Sequence, residues 1–251
     1  MKNIDINSDL GESFGAYTLG NDAEVLRYVT SANIACGFHA SDPLTMQKAV
    51  LQAKAAGVRI GAHPGYPDLV GFGRREMKVA PAELKAMVLY QVGALQAICR
   101  AEGVKLHHVK PHGAMYNMAA KDEKLAESIA EAVAAVDGSL VLVGLSGSCM
   151  KAAAEKYGLA FAAEVFADRA YEDDGSLVSR TKPGAMIEDE DLAIRRMLHL
   201  LETGTIESRS GKEIRLDADT ICVHGDSPKA VLFAKKLREA LADPVRTGGC
   251  R

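Results

Sequence analysis

The chain of 251 residues is 48% hydrophobic and 25% charged, ordinary proportions for a soluble globular protein with one large core. A formal charge of -3 and an isoelectric point near 6.2 give no electrostatic case for nucleic acid or an anionic membrane. The opening MKNIDINSDL lacks a signal-peptide core, no run reaches the ~18 apolar residues of a membrane span, and five cysteines without a CxxC pair suit a reducing cytoplasm better than a disulfide framework or zinc knuckle.

In chain order, short apolar runs alternate with stretches of helical period. The first strand is read over residues 3–7, and the INSDLGE around its end puts Asn7 and Asp9 on one face, with Glu12 just beyond in the loop. Two carboxylates and an amide there can orient water, bind an ammonium or amide group, or hold a cation; the competing reading is a turn cluster, since Asn, Ser, Asp and Gly favour turns unaided. A second strand at 31–36 runs into NIACGFHASDP and then a helix at 42–56, with Asp42 as cap, Pro43 at its first position and Gly57 beyond its end. Asp42 is therefore read as structural and Cys36 as a small buried residue. His39 sits in a glycine-flanked loop with no helical face to pack, which makes it a site candidate.

The strand at 58–62 delivers GAHPGYPD, in which His63 follows the strand directly and Asp68 can orient an imidazole or accept a substrate N–H. In the GFGRRE that follows, Gly71-x-Gly73 is too little for a nucleotide fingerprint. Arg74 and Arg75 are adjacent and expected to diverge, one gripping an anionic substrate and the other meeting solvent or an acidic neighbour. After a helix at 81–102, the strand at 106–110 ends in VKPHGAMYN, the sharpest single motif, which offers Lys110, His112 and Asn117. A lysine at a buried strand end is either a paired structural charge or a stabiliser of anions and oxyanions. His107 and His108 alternate on opposite strand faces, so at most one points inward, and both are assigned to structure.

Helices at 123–136 and 148–157 alternate with strands at 140–145 and 159–165. The second of these strands opens EVFADRAY, whose Glu164 and Arg169, with Arg180 further on, are candidate substrate contacts against the alternative of a solvated, charge-rich loop. A helix at 189–202 carries His199 as an ordinary background histidine. TIESRSGKEIRL, residues 205–216, reads as an added β-hairpin. The last strand, 220–224, ends in VHGDSP, where His224 is a site candidate and Asp226 or Ser227 caps a helix at 228–242. Residues 66–78 and 167–186 are long, polar connections and candidate lids.

Seven strand–helix units without a linker or composition shift favour one α/β domain over residues 1–251: a closed or nearly closed (β/α) barrel, with an open doubly wound sheet as the alternative. In either, polar clusters after apolar strands gather at the carboxyl edge of the sheet, where active sites assemble. There is no GxxxxGK[ST] phosphate loop, GxGxxG, GxSxG or HExxH. Several histidines with Asp9 could bind zinc across separate strands, but no local ligand spacing supports it.

These clusters, in this order, resemble the LamB/YcsF family. The resemblance runs from INSDLGE to VHGDSP, almost the whole chain, and NIACGFHASDP, GAHPGYPD and VKPHGAMYN together are highly specific. Ser41 stands where glycine is usual and Met115 where leucine is usual. The resemblance implies a seven-stranded variant of the (β/α) barrel, of the glycoside hydrolase/deacetylase kind. It also implies ATP-dependent opening of 5-oxo-L-proline (pyroglutamate) to L-glutamate, performed with 5-oxoprolinase subunits B and C (PxpB and PxpC). With no familiar phosphate loop in this chain, ATP as co-substrate is expected to be used on those partners, and no metal is firmly implied.

On that basis the expected catalytic set is Asp9, His39, His63, Lys110 and His112, with Asn7, Glu12, Asp68, Arg74, Asn117, Glu164, Arg169, Arg180 and His224 around the substrate. Arg74, Arg169 or Lys110 binds the substrate carboxylate, and Asp9 or a nearby histidine acts as general base. His63 or His112 protonates the leaving nitrogen or stabilises the oxyanion. Two other classes stay open: a metal-dependent deacetylase or amidohydrolase, and a non-catalytic subunit that binds lactams or sugars.

Overall fold

A computed structural model describes residues 4–223 and 230–242. In chain order the elements are β1 (Asp5–Leu10), α1 (Asp22–Val25), β2 (Ser31–Ala35), α2 (Pro43–Ala56), β3 (Arg59–His63), α3 (Pro81–Ala101), β4 (Leu106–Val109), α4 (Gly113–Ala119) and α5 (Glu123–Val136). They continue with β5 (Val141–Leu145), α6 (Cys149–Lys156), β6 (Ala160–Phe166), α7 (Glu190–Thr203), β7 (Thr205–Glu207), β8 (Glu213–Arg215), β9 (Thr220–Cys222) and α8 (Ala230–Ala242). Seven parallel strands, β1 to β6 and β9, close into a barrel in sequence order, so the open-sheet alternative falls and the expected seven-stranded barrel stands. β9 closes the ring by pairing with both β6 and β1. β7 and β8 form an antiparallel pair of their own, with Ile206 opposite Ile214.

The side-chain period of two sorts the strands into an outer apolar and an inner polar set. Ile34, Leu142, Val165 and Ile221 are fully buried in the hydrophobic core with helix residues. α3 contributes Leu84, Val88, Val92 and Leu95, spaced to keep one face inward, and packs on α5. The alternate residues of β1 behave differently. Asn7 reaches across the barrel to Glu164 of β6 and Thr220 of β9, and Asp9 to the lysine just past β4. Such barrels are usually filled by branched apolar side chains; this one is crossed by polar bonds.

β1 runs to Leu10, beyond the expected end at residue 7, because pairing of Ser8, Asp9 and Leu10 with Ala32, Asn33 and Ile34 overrides the turn preference of INSDLG. α1 and α4 are too short, and α4 follows too closely on a proline, to be read from periodicity. Asp42 caps α2 by accepting from the N–H groups of Leu44 and Thr45. Asp122 and Asp189 cap α5 and α7 in the same way.

Candidate active site

The carboxyl edge of the barrel opens into a cleft of about 650 Å3 whose wall includes Asp9, Glu12, His63, Lys110 and His112. Both expected lids reach it, 66–78 through Arg74 and 167–186 through Arg169 and Arg180. β1, β3 and the turn after β4 thus converge their polar ends on one space.

Lys110 organises the floor. Its ammonium lies 2.9 Å from Asp9 Oδ1 and 2.8 Å from Glu164 Oε1, with Asn7 Oδ1 and Cys222 Sγ each at 3.2 Å. Burial works against a charge there, but Asp9, Cys222 and Glu164 reverse that and hold the lysine well above its ordinary pKa. An ammonium has three donors, and the floor already uses them. Lys110 thereby orients Asp9 and Glu164, with its donors turned to the floor.

Asp9 is held through one oxygen and turns the other toward His63. Oδ1 accepts from Lys110 and, at 2.8 Å, from Asn33 Nδ2, while Oδ2 stands 3.4 Å from His63 Nε2. Asn33 is itself oriented by His108, whose Nε2 donates to Asn33 Oδ1 at 2.7 Å. His108 is the inward member of its pair. Burial first and then His107 push it down to about 3, so it is a neutral donor, and its structural role serves the site through Asn33.

Three histidines cluster above this floor. His63 Nδ1 donates to the Lys110 carbonyl at 2.6 Å, and His112 Nε2 donates to the Phe72 carbonyl at 2.8 Å. Their other nitrogens, His63 Nε2 and His112 Nδ1, approach to 2.9 Å. His39 lies flat on His112, with ring centroids 3.7 Å apart, and its Nε2 meets Glu12 Oε1 at 3.3 Å. Burial is the main cause that holds His39 and His112 well below the ordinary histidine range, with His112 and His63 acting on the first and His63 on the second. Glu12 Oε1, also 3.6 Å from His112 Nδ1, joins the three rings in a cluster whose donor atoms all lie within 4.8 Å of one another, a set able to hold a cation.

Arg169 is only 5% exposed, yet its Nε has no hydrogen-bond partner among the described residues; Nη2 donates to the Val178 carbonyl at 2.6 Å. Burial, then the charge of Arg180, lowers it to about 10, and Arg74 adds to the same effect. Arg74 lies over the Phe72 ring, 4.9 Å from its centroid. Three guanidinium groups thus face one cleft, a field suited to an anionic substrate.

Asp9, Glu12, His63, Arg74, Lys110, His112, Asn117, Arg169 and Arg180 line the cleft, while Asn7, His39 and Glu164 lie buried directly behind that lining. Asp68 stands apart: its carboxylate accepts from Arg75 and from the N–H of Gly71, which makes Arg75 the arginine of the pair that meets an acidic neighbour. His224 lies outside the described residues. Sequence reading passed over Asn33, Tyr116 and Cys222. Tyr116 donates to Glu164 Oε2 at 2.7 Å, and burial, then Glu164, keeps its phenol well above the usual pKa. Its signal was available, since Tyr116 stands four residues after His112.

The model of the LamB/YcsF family matches residues 4–247 of this chain. A protein from Clostridium beijerinckii, named as the A subunit of 5-oxoprolinase, is 59% identical over 243 residues, which is 97% of this chain and 95% of that protein. One of the same name from Bacillus subtilis is 53% identical over 241 residues, 96% of this chain and 94% of its own length. Among solved structures, a lactam utilization protein from Thermus thermophilus superposes with a TM-score of 0.90 at 50% identity, covering 96% of both chains.

Proposed function

The chain belongs to the LamB/YcsF family, and from that premise we propose that it is the ring-opening subunit of an ATP-dependent 5-oxoprolinase. It hydrolyses the γ-lactam of 5-oxo-L-proline to L-glutamate, while ATP is used on partner subunits B and C. A lactam resists attack because amide resonance lowers the electrophilicity of its carbonyl, so activation by ATP before transfer is chemically reasonable. With the lactam oxygen phosphorylated at the expense of ATP, water adds to the ring carbonyl carbon and gives up a proton, the C–N bond breaks as the nitrogen takes up a proton, and hydrolysis of the resulting acyl phosphate releases phosphate and L-glutamate.

One observation carries the reading: a single cleft brings the buried Arg169 together with Asp9 and its neighbouring histidines. Arg169, buried with an unpartnered Nε, receives the carboxylate of the substrate. Asp9, held through Oδ1 by Lys110 and Asn33, takes the proton of the attacking water on Oδ2. Protonated by that step, Asp9 Oδ2, which stands beside His63, returns the proton to the leaving nitrogen. Arg74 and Arg180 line the same opening.

The test is glutamate release from 5-oxo-L-proline and ATP, with this chain alone and with subunits B and C added. Release only from the complete set supports the reading. Robust release by this chain alone overturns the division of labour, and none from the complete set overturns the activity. A second reading, a metal-dependent deacetylase or amidohydrolase, takes support from the Glu12–His39–His63–His112 cluster. It predicts turnover of N-acyl substrates by this chain alone, without ATP and abolished by chelation.

A further inference from the structure

The contact between His63 and His112 does not close electrically. A backbone carbonyl only accepts, so His63 Nδ1 at 2.6 Å from the Lys110 oxygen carries a hydrogen, as does His112 Nε2 at 2.8 Å from the Phe72 oxygen. A neutral imidazole has one N–H, so His63 Nε2 and His112 Nδ1 face each other as lone pairs at 2.9 Å. Two lone pairs at that distance repel unless something positive lies beside them. Glu12 Oε1, 3.6 Å from His112 Nδ1, brings a negative charge to the same spot.

We propose that Glu12, His63 and His112 bind a divalent cation of the zinc class through Glu12 Oε1, His63 Nε2 and His112 Nδ1. Metal–nitrogen bonds of about 2.0–2.1 Å in a tetrahedron put ligand atoms roughly 3.3 Å apart. The observed separations of 2.9 and 3.6 Å bracket that value. The two carbonyl bonds are the outer contacts that fix the tautomer and orientation of ligating imidazoles. All three residues line the cleft, so the cation sits in its wall with the three-ligand geometry of reactive sites. Imidazole with carboxylate favours this class of metal over magnesium or calcium.

His39 is the fourth member of the cluster, and the geometry makes it a positioning residue instead. If its Nε2 ligated, Nδ1 would carry the hydrogen, and Nδ1 is buried without an acceptor. The tautomer with Nε2–H donating to Glu12 Oε1 at 3.3 Å leaves only an acceptor unmatched, and His39 is not part of the cleft lining. Its flat contact on His112 then holds that ring from behind.

The assignment rests on donor geometry and not on the ring-opening reading, so its test needs no substrate. Full-length protein without a histidine tag is stripped with a chelator, reloaded with zinc or cobalt(II), desalted and analysed for metal content. The expected results are one equivalent of metal, a visible cobalt spectrum of low-coordinate type, and a rise in thermal midpoint with zinc but not magnesium. Glu12→Gln, His63→Ala and His112→Ala should abolish stoichiometric binding, and His39→Ala should weaken it about 10–100-fold without changing the cobalt spectrum's type. Circular dichroism identifies any variant that fails to fold, and the wild-type measurement stands without the variants. Wild-type protein that holds no stoichiometric metal and gives no cobalt spectrum overturns the proposal, as does full binding by Glu12→Gln and His112→Ala together.

Discussion

Gly61 on β3 faces His108 on β4 so closely that any Cβ at Gly61 would overlap the imidazole. The absence of a side chain on one strand is what lets the ring on the next lie across the barrel and donate to Asn33. Gly61→Ala should displace His108 and cost about 1–3 kcal/mol by overpacking. It should also lower turnover, because Asn33 then no longer steadies Asp9. Urea unfolding of Gly61→Ala, His108→Ala and the double variant checks this. The double variant should lose clearly less than the sum of the two, and strict additivity would break the link.

Lys110 is the cation that allows Asp9 and Glu164 to share the barrel floor, at 2.9 and 2.8 Å. Lys110→Met keeps the length of the side chain and removes the charge, leaving two carboxylates in a buried site. Breaking a buried ionic group from one side typically costs about 3–5 kcal/mol. Adding Glu164→Gln should restore part of that loss, since one uncompensated charge disappears. Denaturant midpoints of the single and double variants measure the recovery.

Ser41 is buried with φ of 75°, in the left-handed region that favours glycine. Glycine, the residue that the family resemblance implies here, adopts this conformation without strain. Relief of roughly 1–2 kcal/mol of steric cost, less the added freedom of an unfolded glycine of about 0.5–1 kcal/mol, should leave Ser41→Gly more stable by about 0.5–1 kcal/mol. Scanning calorimetry should show a higher melting temperature with unchanged activity.

The barrel was legible because its evidence is repeated: each strand is a short apolar run ended by Gly, Pro or Asp, and the helices announce themselves through caps such as Asp42. The candidate site was legible as a set of places rather than of contacts. His39, His63 and His112 come from three different turns, so nothing in their spacing reveals that the rings gather and converge on Glu12. Asn33 lies inside an apolar strand, and nothing local signals that its amide joins Asp9, Asn7 and His108. Asp68 shows the reverse, a polar residue in a promising turn whose bonds all go to its own loop. Side-chain partners across a barrel depend on register, and register is not written in one strand.

Acid should weaken the fold through its buried neutral histidines. His108 titrates at about 3 in the folded chain, against an ordinary value of 6.5, with burial the leading cause. Between those values the unfolded chain takes up a proton that the folded chain refuses, so stability is fully present above about pH 6.5 and declines as pH falls toward about 3. His39 and His112, also lowered by burial, act in the same direction. Urea midpoints measured from about pH 7 down to about pH 5 should fall steadily, and His108→Gln should flatten that slope. A stability flat across this window would contradict the neutral, buried state of these rings.

Arg169 and Asp9 should separate binding from chemistry. Arg169→Lys keeps a positive charge but loses the planar donor fork, and charged hydrogen bonds of about 1.5–3 kcal/mol convert to a KM raised roughly 10–100-fold. Because a carboxylate anchor holds ground state and transition state alike, kcat should change little. Asp9→Asn keeps the shape of the side chain and its bonds to Asn33 and Lys110 within reach, but removes the basic oxygen beside His63. Its kcat should fall about 100- to 10,000-fold with a small change in KM. Steady-state glutamate release by the complete subunit set gives both constants for both variants. A pure KM effect in Asp9→Asn would remove it from the chemistry, and a pure kcat effect in Arg169→Lys would mean that the substrate carboxylate lies elsewhere in the cleft.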